Sequence, residues 1–115
     1  MNKILIALSI TCLLACAENT EKLPQGILSS DQMIGVMVDL QLIEGLIAVR
    51  DTELEEVNTY YQSVFNKHQI DKETLDKSIQ YYSKHPDILE IVYQEVITEL
   101  SQKQARVNNE VLPSN

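Results

Sequence analysis

The chain has 115 residues, with 17 acidic against 9 basic side chains and a formal charge of −8 at neutral pH. An acidic surface of this kind repels nucleic acid and anionic lipid headgroups, which argues against nucleic-acid binding. The length suits one domain around one modest core, and two cysteines are too few for a disulfide framework.

Residues 1–15, MNKILIALSITCLLA, place Lys3 ahead of an apolar stretch from Ile4 to Leu14 and a small residue, Ala15. This is the layout of a secretory signal peptide. As a helix the apolar stretch reaches about 17 Å, short of the roughly 30 Å of a membrane core. Two cleavage sites compete. "ACA" at 15–17 suits ordinary signal peptidase and leaves a soluble periplasmic chain starting at Glu18. "LLAC" at 13–16 resembles a lipobox, in which the Cys16 sulfur takes up a diacylglyceryl group and becomes the new N-terminus. The second is the expected outcome, because Cys12 leaves with the peptide and Cys16 then has no thiol partner. Acyl chains contribute about 0.8 kcal/mol per buried methylene, and two or more together anchor stably. Loss of Lys3 takes the mature charge from −8 to −9.

Residues 16–28, CAENTEKLPQGIL, have no helical period and read as a tether, spanning roughly 20 Å as a coil. Four helices are expected to follow. Ser29 with Gln32 forms a capping-box pattern that opens the first, which runs to about Val49. Thr52 with Glu55 repeats the pattern for a second, through about Lys67. Asp71 caps a third, ending near Lys84, and Pro86 suits the first turn of a fourth. The fourth is expected to fade near Gln104 and leave 105–115 as a flexible tail. No alternating apolar and polar run suggests a strand. The expected fold is all-α: a small four-helix bundle at 29–104.

On the first helix, Met33, Val36, Met37, Leu40, Ile43 and Ile47 form the expected core face at 100° per residue. Ile34, Val38, Leu42, Leu46 and Val49 form a second stripe, with Gly35 and Asp39 between. An all-round apolar helix is usually buried, so the second stripe is either covered by the other helices or left for a partner protein or another copy. Glu44 falls on the core face and there needs a partner, a proton or a place at the rim. Asp39 and Glu44 are five residues apart and do not stack as a catalytic carboxylate pair. Each of the pairs Tyr60–Tyr61 and Tyr81–Tyr82 is expected to give one ring to the core and one to its edge. His68 and His85 fall at expected helix C-termini, where a donor meets the negative end of the dipole. His68 with Asp71 offers two ligands, too few for a metal. Glu95 and Glu99 read as a solvated face. No nucleophile motif or glycine-rich phosphate loop is present, so no catalytic residue and no cofactor is expected.

"LPQGILSSDQMIGVMVDLQLIEG" at 23–45 and "YYQSVFNKHQIDKETLDKSIQYYSKHPDILEIVYQEVITEL" at 60–100 resemble domain-of-unknown-function family 4296, small lipoprotein-like chains of one broad group of Gram-negative bacteria. The resemblance covers about residues 23–104. It rests on a proline-led tether, an apolar helix carrying Asp39 and then Glu44, and Ser78, Tyr81–Tyr82 and Pro86 in order. Gly45 departs from it, standing where alanine is expected, and loosens the helix by up to about 1 kcal/mol. The resemblance implies location and fold rather than activity. Ala17 after the cysteine and the lack of an acidic run point to the periplasmic leaflet of the outer membrane. The expected role is a non-catalytic binding or scaffold subunit of an envelope complex, with Asp39, Leu42, Glu44, Tyr81 and Tyr82 as structural or partner-contact residues. The competing expectation is a small-ligand-binding or hydrolytic protein with an interhelical pocket around Glu44.

Overall fold

The computed structural model describes residues 22–111. The signal segment, Cys16 and residues 112–115 lie outside them. Four helices follow one another: α1 (Ser30–Val49), α2 (Leu54–His68), α3 (Lys72–Ser83) and α4 (Pro86–Val111). No strand occurs among the described residues. The protein is an all-α four-helix bundle.

Local chemistry starts three of the helices as expected. The Ser29 hydroxyl accepts from the Gln32 N–H at 3.2 Å, and the Gln32 side chain accepts from the Ser29 N–H at 3.0 Å, so the capping box is complete. Replacing Ser29 with alanine is expected to cost about 1 kcal/mol, read from the urea midpoint. Asp71 caps α3 by accepting from the Thr74 N–H at 2.7 Å, and this bond with the Thr74 side chain holds its carboxyl below the usual range. Pro86 opens α4, whose first backbone bond runs from Leu89 to the His85 carbonyl at 3.0 Å.

The second helix departs from expectation. It begins at Leu54 with Glu53 as N-cap and no side-chain cap, because the Thr52 hydroxyl donates to the Arg50 carbonyl instead. It ends at His68 with Gln69 as C-cap, whose φ of 54° is left-handed, and Ile70 N–H then closes onto the Phe65 carbonyl at 3.0 Å. That is the cap geometry glycine usually supplies.

Helix α1 packs on α2 and α4, and α4 packs on α3. The short 50–53 turn sends α2 back along α1, so that His68 returns to the level of Asp39. Helices α1 and α4 run in the same direction: Met33 and Met37 share a groove with Leu89 and Tyr93, and Leu42 shares another with Leu100 and Val107. The core is Leu28, Met33, Ile34, Val36, Val38, Val64, Leu75, Tyr82, Val92 and Val96. Burial of each such side chain contributes about 1.5–3 kcal/mol.

Burial on α1 divides along its length, not between two faces. Ile34 and Val38 of the second stripe are buried along with Met33 and Val36, whereas Leu42 is 47% exposed and Val49 82%. Only the first half of the helix is covered on both sides. Helix α1 is also long and apolar enough to cross a membrane by length and composition, which is compatible with a signal or anchor near the N-terminus and equally with the core helix of a bundle.

Two expected boundaries move. Leu28, assigned to the tether, is 4% exposed and belongs to the core. Helix α4 does not fade near Gln104 but continues to Val111, although every residue from Ser101 to Val111 is exposed. Gln102, Lys103, Gln104, Ala105 and Arg106 are good helix formers, and no glycine or proline interrupts the chain before Pro113.

Candidate functional site

Where the chain enters the bundle, Pro24–Ile27 forms a turn closed by Ile27 N–H on the Pro24 carbonyl at 3.3 Å, with Gly26 at φ 81°. The positive φ suits glycine, which lacks a Cβ. The turn drops Leu28 into the core, where its backbone polar groups need partners. Helix α3 supplies both. The Leu28 N–H donates to the Ser78 hydroxyl at 2.9 Å, and the Tyr82 hydroxyl donates to the Leu28 carbonyl at 2.9 Å. Ser78 also donates to the Thr74 carbonyl at 2.7 Å. The two side chains sit four residues apart on one face of α3, both fully buried. Tyr81, at the edge, meets Tyr82 edge-to-face at 5.4 Å and stacks obliquely on His85 at 4.4 Å.

The Tyr81–Tyr82 expectation therefore holds, with one ring in the core and one beside it. Tyr60 and Tyr61 differ: both are half-buried, Tyr60 donates to Glu56, and Val64 fills the core position of α2. His85 lies beyond the end of α3, and its ring is spent on Tyr81.

A second cluster joins α1 to α2. Asp39 Oδ2 lies 2.6 Å from His68 Nε2 and 2.7 Å from Lys67 Nζ. The Asp39 side chain is 15% exposed and that of His68 20%. Burial pushes the Asp39 carboxyl up, but the hydrogen bonds and charges of Lys67 and His68 outweigh it and hold it below the ordinary value of 3.8. Gly35, one turn before Asp39, makes room for the imidazole: a Cβ there would stand 3.3 Å from His68 Cε1. His68 does sit at a helix C-terminus, yet its ring is committed to Asp39. No group of three His, Cys, Asp or Glu among the described residues is placed to hold a metal ion.

Glu44 is not on a buried face. It is exposed, accepts from the Gln41 amide at 3.2 Å, and stands at the rim of a groove of about 170 Å³ between α1, α3 and α4. Met33, Met37, Leu75, Ile79 and Tyr93 line the apolar floor and walls. Of the partner, proton or rim position expected for it, the rim is what the fold provides, and Gln41 is its neighbour there. Asp39 and Glu44 lie in separate surroundings, as their spacing implied.

With this geometry in place, a family profile described as "Domain of unknown function (DUF4296)" matches residues 24–106. The chain belongs to the DUF4296 family. No curated protein and no solved structure matches it. The DUF4296 match starts at Pro24, the first residue of the turn that delivers Leu28, so the docked segment is part of the domain. Inside it, sequence reasoning missed Leu28, the pairing of Asp39 with His68, and the place of Ser78. The available signals were two spacings of four, Gly35–Asp39 and Ser78–Tyr82, each setting two unlike residues on one helix face. Cys16 lies outside the described residues.

Proposed function

We propose that this DUF4296 protein is a lipid-anchored subunit of an envelope complex, held by acyl chains on Cys16 at the periplasmic face of the outer membrane, and that it binds a protein partner rather than catalysing a reaction. The observation that carries this reading is the thin cover of the distal half of α1, where Ile43, Leu46 and Ile47 are only half-buried. Leu42 and Val49 are exposed on a helix whose proximal half is buried on both sides. Large apolar side chains grouped in this way mark contact surfaces. The lipobox at 13–16 and the single cysteine of the mature chain support the anchor.

Crosslinking in cells, followed by identification of the captured protein, tests the role. One stoichiometric envelope partner is expected, and recovery of the chain without a partner overturns it. Leu42→Glu should abolish the crosslink while leaving unfolding stability within about 0.5 kcal/mol, because the side chain is half exposed already. Intact-mass analysis tests the anchor separately: an acylated chain starting at Cys16 is expected, and an unacylated one starting at Glu18 refutes it.

The groove beside Glu44 favours a second reading, a site for a small apolar ligand with a polar head at Gln41 and Glu44. Small molecules copurifying with the chain and lost from an Ile79→Trp variant would support it.

A further inference from the structure

We propose that two copies of this chain associate antiparallel through the outer stripe of α4. Tyr93, Ile97, Leu100, Gln104, Val107 and Val111 recur at alternating steps of four and three, the rhythm of a coiled-coil seam. Most of the stripe is open, with Ile97 64% exposed, Val107 56% and Val111 70%, while Leu100 is half-buried against the edge of the core. It lies beside the line of Val92 and Val96, which faces the core. Past Val96 that inner line turns to Glu99, Lys103, Arg106 and Glu110, all exposed, so the end of α4 loses apolar attachment to its own bundle. The outer stripe nevertheless keeps Val107 and Val111, with Gln104 as its one polar member. A helix that leaves its bundle with an intact seam lacks the second helix of a pair.

Charge selects a second copy as that helix and sets its direction. Lys103 and Glu110 are seven residues apart and flank the seam on one side. When copies meet antiparallel, Leu100 stacks over Val111 of the other and Gln104 over Val107. Each Lys103 then lies beside the other copy's Glu110, and the two-fold axis makes two such pairs. A parallel pairing sets Lys103 beside the neutral Asn108 and stacks Gln104 on itself, with no charge complement. Leu42 of α1 borders the same surface through its groove with Leu100 and Val107. Twelve residues of one helix bury less than the roughly 800 Å² per partner of a stable interface, so the dimer is weak and concentration-dependent. This goes beyond the subunit reading, since it requires neither lipid nor a foreign protein.

Sedimentation velocity on the full purified chain in detergent, across a concentration series, tests it. Monomer–dimer exchange is expected. Lys103→Glu and Glu110→Lys should each weaken it by about 10-fold or more, because each turns two attractions into two repulsions, and the double swap should restore it to within about threefold. All these positions are exposed, so helix content by circular dichroism should not change. A chain that stays monomeric throughout overturns the proposal, as does self-association that ignores the single swaps or that the double swap fails to restore. A monomer that still captures an envelope partner refutes the dimer alone and leaves the subunit reading standing; a dimer without a partner does the reverse.

Discussion

Tyr82→Ala should lower the free energy of unfolding by about 3–5 kcal/mol, a large share of the roughly 5–15 kcal/mol of a typical domain. Tyr82 is 1% exposed and is among the largest fully buried side chains. Its removal leaves a cavity among Met33, Leu75 and Leu89, with which it shares a groove, and deprives the buried Leu28 carbonyl of its donor. Tyr82→Phe separates the two effects. The ring stays and only the hydroxyl goes, so about 1–3 kcal/mol should be lost, the cost of one buried unsatisfied carbonyl. Ser78→Ala should cost a similar amount by orphaning the Leu28 N–H. Urea unfolding followed by circular dichroism reads all three. If Tyr82→Phe matches the parent midpoint, the bond to Leu28 contributes nothing. Should Tyr82→Ala prove unfolded, Tyr82→Phe and Ser78→Ala still decide the matter.

Asp39→Ala should cost about 1–3 kcal/mol at neutral pH, since it strips a half-buried imidazole of its acceptor. The loss should depend on pH with a definite sign. The folded Asp39 carboxyl lies below its unfolded value, so the native state favours the ionised form. That stability is fully present above the ordinary carboxylate value of 3.8 and disappears as pH falls through the lowered folded value. Parent and Asp39→Ala unfolding energies should therefore converge in acid. A constant gap down to the acid transition would show that the charge of Asp39 plays no part.

Gly35 supplies a companion test with opposite signs. Alanine in a helix interior is favoured over glycine by about 1 kcal/mol. In the parent the new methyl meets His68 Cε1 at 3.3 Å, and the ring cannot retreat freely while Asp39 holds it. Gly35→Ala should therefore destabilise the parent and stabilise a His68→Ala background. The double-mutant cycle isolates that coupling.

What could be read in the sequence was local. Ser29 with Gln32, Asp71 with Thr74, and Pro86 each act within one turn of chain, so residue order alone placed three helix starts. The apolar periods placed four helices and no strand, and the order of Ser78, Tyr81–Tyr82 and Pro86 carried the family resemblance. Thr52 shows the limit even locally, because its hydroxyl had a second acceptor nearby in Arg50. The missed features all needed a partner remote in sequence. Glu44 shares a helical face with Met33 and Met37, and which of partner, proton or rim it takes depends on how far along α1 the neighbours reach. Leu28 looks like linker until Ser78 and Tyr82, 50 and 54 residues away, satisfy its backbone. His68 could be placed at a helix end by order alone; that its ring bonds Asp39 and needs Gly35 follows from α2 folding back along α1. Helix periodicity states which way a side chain points, whereas the packing of one helix on another decides what it meets there.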